Sequence, residues 1–142
     1  MLTTADRPVK VCLTFIFIIG SNMRTFRDLE TEIKIWHEQT FPDTSLSEQL
    51  LKLEEELQEW DDAVNTENEL KEAADIFIVC CGLKRWNSYV GSFVRDNLID
   101  YYVSSYDLLK CYIITKFDKN KKRVWQKQSN GTYHHINNKD LN

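Results

Sequence analysis

The chain has 142 residues, 42% of them hydrophobic and 28% charged, with a formal net charge of −4. That length supports one hydrophobic core and not two, and four glycines with two prolines argue against a loop-rich β protein. The net charge conceals an asymmetry: residues 43–78 carry twelve acidic and two basic side chains, while residues 110–142 carry eight basic and two acidic. A nucleic-acid-binding reading draws on the basic tail alone and is opposed by the acidic block, so no nucleic acid polymer is expected as a partner.

The first segment, "VKVCLTFIFIIG", is apolar and β-branched from Val11 on, after Arg7 and Lys10. At about ten residues it is too short to span a bilayer. It has the length of a signal-peptide core but lacks a small-x-small cleavage pattern, and as a strand it has no evident partner. Residues 1–22 are therefore expected to lie outside the fold, with Met23 as an alternative start, and residues 23–142 to form a single helical domain. The cysteines, Cys12, Cys80, Cys81 and Cys111, show no C-x-x-C spacing, and Cys80 and Cys81 sit inside the apolar run "IFIVCCGL". They read as small buried hydrophobes in a reducing, cytoplasmic setting, with no membrane association.

Three helix starts carry a hydroxyl followed three residues later by a carboxylate: Thr25 with Asp28, Ser45 with Glu48, and Thr66 with Glu69. The first helix runs to about Thr40 with Phe26, Leu29, Ile33 and Trp36 on one face, and Pro42 closes it. A second runs to about Val64 on a stripe of Leu50, Leu53, Leu57, Trp60 and Val64. A third runs to about Trp86 and becomes apolar nearly all round after Asp75, which marks it as buried in a bundle centre or an oligomer interface. The fourth is expected from about Ser92 to about Trp125, and "QSNGTYHHINNKDLN" as a turn with a polar tail. The fold class is all-α, an antiparallel bundle of about four helices completed by oligomerisation.

The stretch from Lys52 to Val79 holds ten acidic side chains. At 100° per residue, Glu56 and Glu59 share one side of the second helix, beside the apolar stripe. Glu72 and Asp75 share a side of the third, and one turn later that side carries Val79. If the Asn65-Thr66 turn folds these helices back on each other, the two pairs converge. Four converging carboxylates repel unless a cation sits between them, and hard oxygen ligands at this density suit Mg²⁺ or Mn²⁺. The plainer reading is two solvated acidic faces; Glu54, Asp61, Asp62, Glu67 and Glu69 are assigned to it.

"KLEEELQE", then twelve residues, then "EAAD", resembles the E-E-x-x-E…E-x-x-D signature of the MazG-like all-α nucleoside triphosphate pyrophosphohydrolases. The matching positions are Glu55, Glu56, Glu59, Glu72 and Asp75. Phage-type members are also resembled by "FRDLETEIKIWHEQTFP", by "KFDKNKKRVW" and by "NGTYHH", so the likeness spans about residues 24–135. The resemblance implies a homo-oligomer, a dimer or a tetramer, that hydrolyses nucleoside triphosphates to monophosphate and pyrophosphate. Glu56, Glu59, Glu72 and Asp75 would hold Mg²⁺, and Glu55 would orient or deprotonate water.

Lys116, Asn120 and Arg123 recur at i, i+4, i+7, a spacing that would grip phosphates. From spacing alone a solvated basic helix end is preferred; the resemblance favours the grip. Trp36, His37 and Gln39 could stack on or read a base, although Trp36 as core and His37 as an exposed side chain is the plainer reading. His134 and His135 could reach a neighbouring subunit's site. The reading is a Mg²⁺-dependent nucleotide pyrophosphohydrolase acting on deoxynucleotides. Its rivals are a phosphoribosyl-ATP-type pyrophosphohydrolase and a non-catalytic helical interaction module.

Overall fold

The computed structural model describes residues 24–136; the apolar segment of residues 1–22 and the polar tail beyond 136 lie outside them. Five helices follow in order: α1 (Phe26–Thr40), α2 (Leu46–Ala63), α3 (Glu69–Leu83), α4 (Tyr89–Tyr101) and α5 (Tyr106–Asn120). Short 3₁₀ turns, Lys84–Trp86 and Val103–Ser105, flank α4, and a hairpin of β1 (Trp125–Lys127) and β2 (Tyr133–His135) closes the described chain. No helix among the described residues is long and apolar enough to cross a membrane.

Two of the three helix starts form as expected. Thr25 Oγ1 accepts from the Asp28 amide at 3.0 Å while Asp28 returns the bond at 3.0 Å. Ser45 and Glu48 do the same at 3.2 and 2.9 Å. The third box does not form. Thr66 turns its hydroxyl back to the Ala63 carbonyl, and Glu69 accepts instead from the Asn65 amide at 2.8 Å. Asn65 stands at φ +65°, and this left-handed residue leads the chain into a tight turn in which the Thr66 hydroxyl accepts from the Asn68 amide at 3.2 Å while the Glu69 amide goes to the Thr66 carbonyl at 3.3 Å.

α3 is the axis of the bundle and packs against α1, α2, α4 and α5. From Ile76 to Leu83 every residue is buried, with Phe77 and Cys81 at 0% exposure. Of the two places expected for this helix it takes the bundle centre: five helices among the described residues, rather than about four, let one chain enclose it. The extra helix comes from a break in the expected fourth one. Tyr102 turns inward, where its hydroxyl accepts from Trp60 Nε1 at 2.7 Å and donates to Glu69 Oε2 at 2.6 Å. The Ser105 amide then bonds the Tyr102 carbonyl at 2.8 Å. α5 can thereby fold back along α3 and bury Leu109, Ile113 and Phe117.

The hairpin is the second departure from the expected architecture. Its register pairs Trp125 with His135 and Lys127 with Tyr133. Gly131 closes the turn at φ +88°, and a Cβ there would overlap the Glu48 carboxylate, so both the backbone and the contact with α2 call for glycine.

The bonds of Tyr102 generate a stability prediction. Tyr102→Phe leaves the Trp60 N–H without its partner inside the α2–α4 contact, and should cost about 1–2 kcal/mol. Tyr101→Phe, at an exposed position, should stay within about 0.5 kcal/mol of the parent. Urea unfolding followed by tryptophan fluorescence measures both. Equal midpoints for the two variants would contradict this account of the break.

Candidate functional site

Gln49 on α2 reaches the Val79 carbonyl on α3, while Glu56 and Glu59 meet Glu72 and Asp75 nearer the turn, so the two helices run antiparallel. One carboxylate oxygen from each of these four residues lies within 4.8 Å of all the others. Glu56 is 6% exposed, Glu72 and Asp75 are half-buried, and Glu59 is exposed at the rim. Both i, i+3 pairs singled out in the sequence are thus brought together.

Lys52 reaches Glu56 at 3.2 Å from one turn earlier on α2, and Lys116 on α5 reaches Asp75 at 3.3 Å. Four carboxylates against two ammoniums leave two negative charges when all are ionised. Burial, with the Asp75 charge adding to it, pushes Glu56 up to about 8 despite Lys52. Burial and the charges of Asp75 and Glu59 push Glu72 up to about 7. Asp75 is raised as well, mainly by burial, with Lys116 opposing. Among the described residues, Glu56 Oε2 and Glu72 Oε2 are buried atoms without a hydrogen-bond partner. An oxygen-only donor set with two unpartnered buried oxygens and a residual charge of two fits a hard divalent cation.

The cluster borders a cavity of about 240 Å³ reached by Glu56, Glu59 and Asp75. Lys116, Asn120 and Arg123 line it together, but only Lys116 and Asn120 stand on α5: the helix expected to run to about Trp125 ends at Asn120, and Arg123 reaches the cavity from the turn beyond it. Asn120 is buried, and its Oδ1 accepts from Arg123 Nη1 at 2.8 Å, which aims the guanidinium. Trp36 also lines the cavity, packed edge-on against Phe41, Phe117 and Trp125. Gln39 is exposed and does not reach it.

Glu55, expected to act on water, faces elsewhere. One of its oxygens accepts from Asn130 Nδ2 at 3.2 Å and Thr132 Oγ1 at 3.4 Å, and the other meets His134 Nε2 at 3.1 Å. Its carboxylate ties α2 to the hairpin and is not among the groups lining the cavity. His134 and His135 line the cavity of their own chain.

His37 corrects the sequence reading outright: it is buried, at 5% exposure. Gln49 Nε2 donates to Val79, so Gln49 Oε1 must accept from His37 Nε2, at 3.0 Å, leaving His37 Nδ1 to accept from Arg85 Nη1, also at 3.0 Å. Burial and the Arg85 charge hold the imidazole down at about 4. Gly82 makes room for this chain, because a Cβ there would sit 2.7 Å from Gln49 Nε2. Sequence reasoning also missed Lys52, Phe41, Thr44, Trp125 and Tyr133 as cavity residues. Only Lys52 carried a local sign, its i, i+4 spacing to Glu56.

No family model matches the chain, and no solved structure matches it. A curated relative, a protein of Salmonella phage PMBT28 named dATP/dGTP diphosphohydrolase, is 28% identical over 112 residues. The match takes in 79% of this chain, which spans only about a third (32%) of that relative's length.

The carboxylate cluster generates a pH prediction. A carboxyl whose folded pKa is raised keeps a proton that the unfolded chain has already lost, so stability falls as pH rises toward the folded value. His37 works the other way, but only below its ordinary value of 6.5. Between pH 6.5 and pH 8, then, the carboxylates dominate. In chelator, the thermal midpoint should be higher at pH 6.5 than at pH 8, and excess Mg²⁺ or Mn²⁺ should raise it more at the higher pH. A midpoint insensitive to both would contradict the cluster.

Proposed function

We propose that this protein hydrolyses deoxynucleoside triphosphates to monophosphate and pyrophosphate, with Mg²⁺, or Mn²⁺ in its place, held by Glu56, Glu59, Glu72 and Asp75. The observation that carries the reading is the half-buried four-carboxylate cluster, with its unpartnered oxygens, beside a cavity that also holds Lys116 and Arg123. The name of the phage relative adds a substrate class, purine deoxynucleotides. Phosphoric anhydrides carry high negative charge, and a site with acids alone would repel them. Acids neutralised by a cation, opposite fixed basic groups, would bind them.

The ion, when bound, supplies neutralisation of phosphate oxygens and acidification of a water. The chain's own residues do the rest. Arg123, aimed by Asn120, offers the planar fork that matches a phosphate, and Lys116 offers a point charge shared with Asp75. Water adds to the α-phosphorus and gives up a proton to solvent while the bond to the bridging oxygen breaks, and pyrophosphate leaves with its electron pair. Glu55 enters the proposal as an anchor that holds the hairpin, and with it Trp125 and His134, against the cavity. The homo-oligomer also remains a proposal, now supported by Tyr89 and Phe93, which stand 79% and 54% exposed one turn apart on α4.

A coupled assay for pyrophosphate release tests the reading. Asp75→Asn should lower turnover by more than about 100-fold while preserving the helical fold, because it relieves repulsion in the cation-free state. Glu54→Gln, at an exposed position on α2, should match the parent. Full activity in Asp75→Asn removes the metal-site reading.

The grip on phosphate makes a separate prediction. Arg123→Ala should raise KM roughly ten- to hundredfold, the worth of one charge-assisted contact, with a smaller fall in kcat. Arg123→Lys should recover part of the loss. If both constants stay at parent values, the face is solvated and the grip is wrong.

A further inference from the structure

The end of the cavity away from the carboxylates is built differently. Phe41 touches Trp36, Trp125 and Tyr133, with ring centroids 5.5, 5.4 and 4.6 Å away. These four rings come from α1, the residue after it, and both strands of the hairpin. Beside them sits Thr44, 9% exposed, which lines the same cavity. Its Oγ1 is buried and has no hydrogen-bond partner among the described residues.

A threonine hydroxyl ordinarily finds a partner when buried, since a lone polar atom away from water costs free energy. Other polar groups near this wall are already committed. His37 and Gln49 are closed into the run from Arg85 to the Val79 carbonyl. The turn that carries Thr44 is fixed at two points: the Phe41 carbonyl accepts from the Thr44 amide at 3.2 Å and from Arg85 Nη1 at 2.8 Å. Pro42, at the second position of that turn, restricts it further. The hydroxyl is therefore held in place at an aromatic wall, uncommitted, in a cavity whose other end suits phosphates.

We infer that Thr44 is the residue that reads the nucleobase, its hydroxyl bonding the polar edge of a purine packed among Trp36, Phe41, Trp125 and Tyr133. This deepens the hydrolase proposal and rests on it. An aromatic cleft favours a flat heteroaromatic ring, and a bicyclic purine covers more of it than a pyrimidine does. A hydroxyl both donates and accepts, so it can serve the 6-amino edge and the 6-oxo edge alike. Arg123 and Lys116 would hold the triphosphate whatever the base. Among the described residues at this aromatic end, the Thr44 hydroxyl is the buried side-chain group left with a free valence for discrimination; the other unpartnered oxygens belong to the carboxylate cluster.

The test is calorimetric binding of the α,β-imido analogues of dATP, dGTP, dCTP and dTTP to the full chain with Mg²⁺, in three proteins. The parent should bind the purine analogues more tightly than the pyrimidine ones. Thr44→Val, which keeps the shape and removes the hydroxyl, should weaken the purine analogues roughly five- to tenfold and leave the pyrimidine analogues unchanged. Thr44→Ser, which keeps the hydroxyl and removes a methyl, should retain the preference; a packing role would make Ser the worse of the two. Thr44→Ala serves the same purpose as Val if the Val variant does not fold. An unchanged purine preference in Thr44→Val, or equal weakening of all four analogues, overturns the assignment while turnover by the parent leaves the hydrolase reading standing. A parent that binds pyrimidine analogues as tightly as purine ones overturns it too. No binding of any analogue, with no pyrophosphate release, overturns both.

Discussion

The pairing of α2 with α3 crowds four carboxylates within 4.8 Å of one another, three of them at least half-buried, and the surrounding elements are arranged around that repulsion. Water screens such a group poorly at partly buried positions, so each added charge raises the cost of the others. Two cations are delivered from different directions. Lys52 comes from the same helix, one turn away, and is a matter of local sequence. Lys116 comes from α5, which reaches Asp75 only because the chain breaks at Tyr102 and folds back along α3. The bonds from Tyr102 to Trp60 and Glu69 hold the chain at that break, remote from the ion pair that Lys116 makes with Asp75.

The acidic stretch, taken whole, divides into distinct roles that its composition conceals. Glu56, Glu59, Glu72 and Asp75 converge. Asp43, Glu48 and Glu55 form a rail for the hairpin: Asp43 takes the Tyr133 hydroxyl at 2.7 Å, Glu48 and Asp43 take Lys127, and Glu55 takes the turn and His134. Glu69 serves the turn before α3 and the Tyr102 bond. Attachment of the basic, aromatic C-terminal segment to the acidic helix is what walls the cavity, and it explains why the charge asymmetry along the chain is compatible with a compact fold. Exposed pairs such as Lys127 with Asp43 contribute little stability each. Their consequence is placement.

What could be read in advance followed from local periodicity. The caps at Thr25 and Ser45, the convergence of the i, i+3 acid pairs, and the shared face of Lys116 and Asn120 all depend on helical spacing within a few residues, whereas Arg123 meets them from beyond the end of α5. The misses depend on partners far away in sequence. Nothing near Tyr102 says that its hydroxyl will find Trp60 and Glu69, and so the break between α4 and α5 reads as continuous helix. "SNG" marks a turn, but three-residue strands carry too little alternation to be seen beside it. His37 looks like an exposed residue next to a tryptophan until Gln49 and Arg85 are known to enclose it. Thr44 gives no sign at all, because its meaning lies in lacking a partner.

The central claim is that the cluster is a cation site that holds protons when the cation is absent. Calorimetric titration of Mn²⁺ into the protein at pH 7, repeated in buffers of different ionisation enthalpy, measures cation binding and proton exchange together. Glu56, held near 8, and Glu72, held near 7, are largely or half protonated there, so binding should release protons into the buffer. No binding of Mn²⁺, or binding whose heat is the same in every buffer, would contradict the account.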